Sequence, residues 1–124
     1  MDSAAPDGPT RDDDASAEAE LREITPRALA ELVRGKRLPV LIDVREPHEY
    51  AYARIAGARL IPLATLPDEI GTLPEGANIV VYCHHGIRSG HAVDMLRSAG
   101  IHARNLTGGI DRWSAEVDSS VRRY

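Results

Sequence analysis

The chain has 124 residues, of which 43% are hydrophobic and 4% aromatic, and its formal net charge is −4 at pH 7. This length favours one domain, and the acidic balance gives no support for nucleic-acid binding. One cysteine cannot form an internal disulfide, and no apolar run approaches the roughly 20 residues of a membrane span. The N-terminus lacks the basic and apolar stretches of a signal peptide, so we expect a cytoplasmic protein with no membrane partner.

Most of the acidic charge lies in the first 20 residues. They carry seven acidic residues and one arginine, whereas residues 21–124 carry 12 acidic and 14 basic residues. The segment is rich in Asp, Ala, Ser and Pro and cannot bury enough surface to offset the entropy of ordering. The sequence therefore predicts a disordered acidic tail over residues 1–20 and one folded domain over residues 21–124.

In the first half of that domain, short strands alternate with helices. "REITP" predicts an edge strand that leads into a helix, with Thr25 as the N-cap, Pro26 in the first turn and Gly35 at the end. The apolar run "PVLIDV", residues 39–44, is typical of a buried parallel strand. "REPHEYAYARI" and "LPDEIGTLP" predict short helices, and "GARLIPL" predicts a short strand between them.

The second half repeats this alternation. "ANIVVYC", residues 77–83, predicts a second buried strand. Residues 89–99 predict a helix that ends before Gly100, and its apolar face comprises Ala92, Val93, Met95, Leu96 and Ala99. "HARNL" predicts a last strand and "GGIDRWSAEV" a last helix. The order indicates an α/β domain of three layers, in which helices flank a mainly parallel central sheet.

The carboxyl ends of the two buried strands carry the candidate functional residues, because ligands of such sheets bind at that edge. Asp43 and Arg45 follow the first strand, and Cys83 follows the second. A loop that winds back onto a helix N-terminus directs several backbone N–H groups at one point, where they stabilise an anion. Gly86 permits the positive φ that such a loop needs, and Arg88 adds positive charge. The pattern predicts Cys83 as a nucleophilic thiolate.

Two other interpretations of Cys83 stay open. An inert buried cysteine is common in proteins. A metal ligand is disfavoured because Cys83, His84 and His85 are consecutive, and adjacent side chains rarely converge on one ion. No Cys-x2-Cys or His-x3-His pattern supports a metal site. We predict no metal, and we expect both histidines at the rim of the loop, where they could meet a substrate.

Loop length distinguishes two classes of cysteine enzyme. Cysteine phosphatases place five residues between the cysteine and the arginine, which makes a cradle wide enough for a phosphate. In this chain four residues separate Cys83 from Arg88, namely His84, His85, Gly86 and Ile87. The shorter loop fits one extra sulfur atom on Cys83 better than a tetrahedral phosphoryl group.

The segment "CHHGIRS" resembles the active-site loop of rhodanese-homology domains, the single-domain sulfurtransferases. Three further segments resemble that family in the same order: "ITPRALAEL", "LIDVREPHEYAYARIAGARLIP" and "NLTGGIDRW". The likeness covers about residues 23–115 and implies the rhodanese fold. The closing "VDSSVRRY" is similar to the tail of rhodanese domains fused to adenylyltransferases, which supply sulfur to small carrier proteins.

The resemblance implies transfer in two steps. Cys83 takes a sulfane sulfur from a small donor, such as thiosulfate or another persulfide, and a thiol or a sulfur-carrier protein then removes it. No metal or organic cofactor is implied. His84 stands where many thiosulfate-using members have arginine, which weakens one cationic contact with thiosulfate because histidine titrates near neutrality.

Supporting roles are predicted for residues around the loop. We expect Asp43 to accept N–H bonds from the loop and Arg45 to pair with Glu49 or Asp43, against the alternative of a local ion pair of little energetic weight. Ser89 is predicted to belong with residues 84–88 to the loop that holds the substrate or persulfide, where it either caps the helix or contacts the sulfur, and capping is the favoured role. Tyr82 and Trp113 are expected to pack in the core, and Gly108 and Gly109 to form a tight turn.

Three rival functions stay open. A non-catalytic rhodanese-like binding module would generally lose the cysteine, which this chain retains. A cysteine phosphatase is opposed by the short loop. A redox or arsenate-handling enzyme would need a second thiol from elsewhere.

Overall fold

The computed structural model describes residues 22–124, and the predicted acidic tail over residues 1–20 lies outside them. In the described part, the strands are β1 (Glu23–Ile24), β2 (Val40–Asp43), β3 (Arg59–Leu60), β4 (Ile79–Tyr82) and β5 (Ala103–Leu106). The α-helices are α1 (Pro26–Arg34), α2 (Pro47–Tyr52), α3 (Leu66–Glu69), α4 (Ile87–Ser98) and α5 (Gly109–Glu116). Short 3₁₀ turns at Leu63–Thr65 and Ile70–Thr72 flank α3. Over residues 22–124, every helix is too short or too polar to cross a membrane.

The five strands form one sheet in the order β1–β5–β4–β2–β3, and every pairing is parallel. The predicted α/β class with a mainly parallel sheet is confirmed. The two apolar runs become the neighbouring strands β2 and β4, and their last residues, Asp43 and Tyr82, are in register. This register brings the two segments that follow these strands to the same edge of the sheet.

Alternation along β4 builds a core on each face of the sheet. Ile79 and Val81 pack in a cluster that includes Ala92, Val93 and Leu96 of α4. Val80 and Tyr82 pack in a second cluster with apolar residues of α1 and α5, including Leu29, Ile110 and Trp113. Because successive side chains of a strand point to opposite faces, helices cover both sides, as the three-layer prediction requires. Tyr82 and Trp113 are core residues, as expected.

The first helix begins as its sequence predicts. The Thr25 hydroxyl oxygen accepts a hydrogen bond from the N–H of Ala28 at 3.1 Å, and Pro26 occupies the first turn. The helix ends at Arg34, and Gly35 is its C-cap. The left-handed residue, however, is Lys36, with φ of 58°, so the backbone reverses one position later than glycine capping suggested.

The helix after Cys83 differs from its prediction at both ends. It begins at Ile87 rather than at residue 89, because Gly86 already serves as its N-cap. Ala99 is exposed, although it was placed on the apolar face. The reason is that the helix ends at Ser98, so Ala99 belongs to the turn that continues through Gly100, where φ is 82°.

Candidate active site

Cys83 lies between the end of β4 and the first turn of α4 and is 1% exposed. Gly86 has φ of 107°, in the left-handed region predicted for this loop. That conformation is open to glycine at little cost and turns the backbone N–H groups of the loop inward. Ile87 follows at the surface and is 74% exposed, so the buried sulfur and an exposed apolar residue lie four positions apart.

Two backbone hydrogen-bond donors and one hydroxyl group surround the sulfur of Cys83. The backbone N–H of Gly86 lies 3.1 Å from Sγ, and the backbone N–H and hydroxyl of Ser89 each lie 3.3 Å from it. Both N–H groups belong to the N-terminus of α4, whose dipole favours negative charge. Burial alone would also suit an inert cysteine, but donors directed at the sulfur suit a thiolate or a persulfide anion.

The favoured role of Ser89, capping the helix, is wrong, and the structure shows the alternative, contact with the sulfur. Gly86 occupies the N-cap, so Ser89 is the third residue of α4 and its hydroxyl turns toward the sulfur instead of capping the helix. Because α4 begins two residues earlier than the pattern suggested, Ser89 moves from the helix end into the site.

Asn105 connects the loop to the sheet, and no role was predicted for it. Its Oδ1 accepts from the Ser89 hydroxyl at 2.6 Å, and its Nδ2 donates to the Gly86 carbonyl at 3.1 Å. The same Nδ2 lies 3.3 Å from a carboxylate oxygen of Glu23, with which Asn105 is in register across β1 and β5. The one sequence signal available for this role was that Asn105 begins the segment "NLTGGIDRW", which resembles the rhodanese-homology family.

We expect Asn105→Ala to lower the free energy of unfolding by about 1–3 kcal/mol, because the Gly86 carbonyl and the Ser89 hydroxyl lose a partner in a buried site. Asn105 is 6% exposed. Urea denaturation measures the loss. The matched control is Asn78→Ala, which removes an exposed asparagine bonded to Arg104 and should cost within about 0.5 kcal/mol. Equal losses of unfolding free energy in the two variants would show that Asn105 does not stabilise the Cys83 loop.

The N-terminus of α5 supports the loop from behind. The N–H of Ile110 donates to the Cys83 carbonyl at 2.9 Å, and the N–H of Asp111 donates to the His84 carbonyl at 3.1 Å. Gly108 and Gly109, with φ of 77° and 64°, make the tight turn that allows this approach. A Cβ on Gly109 would lie 2.6 Å from the Cys83 carbonyl oxygen and would also overlap the His84 carbonyl.

Asp43 and Arg45 form an ion pair in which both side chains are 0% exposed. Arg45 Nε donates to Asp43 Oδ1 at 2.9 Å, and Nη2 donates to Oδ2 at 2.6 Å. The expected Arg45–Asp43 pair is present and buried, and its energetic weight stays a prediction. The prediction that Asp43 accepts from the Cys83 loop is wrong, because Arg45 and its backbone N–H occupy the carboxylate. Burial alone would lower the pKa of Arg45, but its bonds to Asp43 and Tyr124 outweigh burial and raise it.

Arg88 is bound to Glu49. Its Nη1 and Nη2 donate to the two carboxylate oxygens at 2.7 and 3.0 Å. Glu49 also accepts from the Tyr124 hydroxyl at 2.8 Å and from the N–H of Glu46 at 3.0 Å. The bond from Arg88 is the main reason that the pKa of Glu49 falls to about 2, so the carboxylate is ionised at neutral pH.

Tyr124 joins this arrangement to the buried ion pair, and its role was not predicted. Its hydroxyl accepts from Arg45 Nη1 at 2.6 Å and donates to Glu49. Its ring stacks on His84, with the ring centroids 3.9 Å apart. Nothing local in the sequence indicates these contacts, since Tyr124 lies 75 positions from Glu49.

The two histidines differ in their surroundings. The side chain of His85 is 60% exposed, at the rim where it was expected. His84 is half-buried between the rings of His85 and Tyr124, and its Nε2 has no hydrogen-bond partner among residues 22–124. Burial, and then the nearby His85, lower the pKa of His84, so its imidazole is neutral at neutral pH. Within the described range, no three potential ligand side chains cluster as a metal site would require.

Comparisons with known proteins place this site in a family context. The family described as "Rhodanese-like domain" matches residues 25–116. The chain is 36% identical over 115 residues to "Probable adenylyltransferase/sulfurtransferase MoeZ" of Mycobacterium tuberculosis. This alignment covers 90% of the chain but only 29% of that longer protein. It is 30% identical over 95 residues to a protein of Allochromatium vinosum named "Sulfurtransferase", which covers 76% of this chain and 89% of that protein. Its structure is similar to a rhodanese-related protein from Thermoplasma volcanium, with a TM-score of 0.71 and 32% identity over 77% of this chain and 93% of that one.

Proposed function

The chain belongs to the rhodanese-like domain family, and from this premise we propose that it is a sulfurtransferase whose Cys83 carries the sulfur as a persulfide. The observation that carries the proposal is the pair of backbone N–H groups that donate to Sγ, with the Ser89 hydroxyl 3.3 Å from it. They support a thiolate before the reaction and a persulfide after it. Relatives named for sulfur transfer support the class of reaction.

The proposed reaction has two displacements. The Cys83 thiolate attacks the sulfane sulfur of a donor such as thiosulfate, and the leaving group departs with the electron pair of the broken bond. The same N–H groups then hold the terminal sulfur of the persulfide. An acceptor thiolate, from a small thiol or a sulfur-carrier protein, attacks that sulfur and regenerates Cys83. The chemistry uses no cofactor and needs a reduced cysteine, in keeping with a cytoplasmic protein.

Access to the sulfur is part of the proposal. Cys83 is 1% exposed, so a donor reaches it only when side chains at the mouth of the loop move. His84, the residue after Cys83, stacks on Tyr124, which is 43% exposed. A non-catalytic binding module would not need a donor to reach the buried sulfur. Loading of sulfur onto Cys83 therefore distinguishes a sulfurtransferase from a binding module.

Intact mass after incubation with thiosulfate or with a thiol persulfide tests the proposal. We expect the protein to gain one sulfur atom, Cys83→Ala to gain none, and cyanide or a thiol to remove the added mass. Cys83→Ala is the control for sulfur bound elsewhere, because Cys83 is the one cysteine of the chain. If neither donor loads sulfur, the transferase proposal fails and a non-catalytic binding module takes its place. Hydrolysis of a small aryl phosphate that is lost in Cys83→Ser would instead support a phosphatase.

A further inference from the structure

Two arginines beside the Cys83 loop are already paired with carboxylates. Arg88 is bound by both oxygens of Glu49, and Arg123 is bound by both oxygens of Asp111. His84, the residue next to the nucleophile, is uncharged at neutral pH because of its burial. An incoming anion therefore meets backbone N–H groups, and Arg88 and Arg123 meet it as ion pairs whose net charge is zero.

The Arg88–Glu49 pair is held from several sides. The Glu49 side chain is 11% exposed and takes two further bonds, from the Tyr124 hydroxyl and the Glu46 N–H. Tyr124 is fixed in turn by the buried Arg45. To use Arg88, an anionic donor would have to displace a carboxylate anchored by four hydrogen bonds, and it would then lie close to that carboxylate. A neutral donor needs only the backbone N–H groups that donate to Cys83 Sγ.

We propose that Glu49 is a positioning residue that selects the sulfur donor by withholding the charge of Arg88, so that the site favours neutral or weakly charged thiol persulfides over dianionic thiosulfate. This inference rests on the proposed sulfur transfer and names its donor class. Tyr124 assists by holding Glu49 in place.

The chemistry balances for both donors. With a thiol persulfide RSSH, the Cys83 thiolate attacks the outer sulfur, the S–S bond of the donor breaks, and RS⁻ leaves while Cys83 becomes the persulfide. With thiosulfate, the same attack releases sulfite, which carries two negative charges away. No external oxidant or reductant takes part in either case. The donors differ in the negative charge that must approach and leave beside Glu49.

Alkylation with two reagents tests the charge at the site without turnover. Iodoacetamide is neutral and iodoacetate is an anion, and both alkylate the same thiolate, so the iodoacetate-to-iodoacetamide rate ratio reports how well Cys83 admits an anion. We expect Glu49→Gln to raise this ratio by about fivefold or more, because one negative charge near the path is removed. Gln keeps an acceptor oxygen for the Glu46 N–H. Arg88→Gln leaves Glu49 unpaired and should lower the ratio.

Opposite signs for these two variants distinguish charge control from loss of structure, which would move both ratios in one direction. Glu69→Gln is the matched control, since it breaks the exposed Arg59–Glu69 pair away from the loop and should leave the ratio unchanged. In steady state, Glu49→Gln should lower the KM for thiosulfate more than the KM for a small thiol persulfide, which carries less negative charge.

An unchanged ratio in Glu49→Gln would overturn the inference. If that variant does not fold, Tyr124→Phe supplies the same test, because it removes one anchor of Glu49 and should raise the ratio by a smaller factor. A raised ratio with no sulfur loaded from either donor would overturn the proposed function and the donor class, and would leave only the control of charge at Cys83.

Discussion

Gly109→Ala is expected to abolish sulfur loading on Cys83 and to lower the free energy of unfolding by about 2–5 kcal/mol. Residue 109 has φ of 64°, and an added Cβ would meet backbone carbonyls of Cys83 and His84. Backbone atoms cannot rotate away as a side chain can, so α5 must separate from the loop. The bonds from Ile110 and Asp111 to those carbonyls would be lost with it. Urea denaturation and intact mass after donor treatment measure the two effects.

Gly76→Ala separates steric overlap from backbone strain. Gly76 also has a positive φ, 72°, but a Cβ there has no neighbour within 4 Å. Its substitution should cost only the strain of the left-handed backbone, about 1–2 kcal/mol, and should leave sulfur loading intact. If Gly109→Ala costs no more than Gly76→Ala, the close approach of α5 to the loop is not what keeps glycine at position 109.

The elements of the sheet could be predicted because their signals are local. The apolar runs that became β2 and β4, and the cap formed by Thr25 and Pro26, each depend on a few neighbouring residues. The position of Cys83 at the carboxyl edge followed from the strand–helix order. The same local reasoning failed for Ser89, since the left-handed Gly86 started α4 two residues early and turned the serine toward the sulfur.

The contacts that surround the loop depend on distant parts of the chain and have no local signal. Asp43 was expected to serve the loop because both lie at one edge of the sheet, but Arg45, two residues further on, takes its carboxylate. Asn105 reaches Gly86 because β5 lies beside β4, an order that the sequence does not state. Tyr124 reaches Glu49 only because the segment after α5 returns to the loop.

Replacing one partner of the buried Asp43–Arg45 pair should lower the free energy of unfolding more than replacing one partner of any other side-chain contact. We expect Asp43→Asn to lower the free energy of unfolding by about 3–5 kcal/mol, because it leaves a fully buried guanidinium without a counter-charge. Arg45→Met should cost a similar amount at pH 7, since it leaves a buried carboxylate and frees Tyr124. Glu69→Gln breaks the exposed Arg59–Glu69 pair and should cost within about 1 kcal/mol.

The pH dependence distinguishes the two halves of this pair. A carboxyl group left alone in the core can take up a proton, whereas a guanidinium cannot release one. In Arg45→Met the folded state would then bind more protons than the unfolded state between pH 7 and pH 5, so its stability relative to the wild type should rise as the pH falls. Asp43→Asn should show no such recovery. The double variant should lose less than the sum of the two single losses, because neither charge is left behind. Additive losses measured by urea denaturation would show that the two side chains stabilise the fold independently, with Arg45 acting through its bonds to Ala53 and Tyr124.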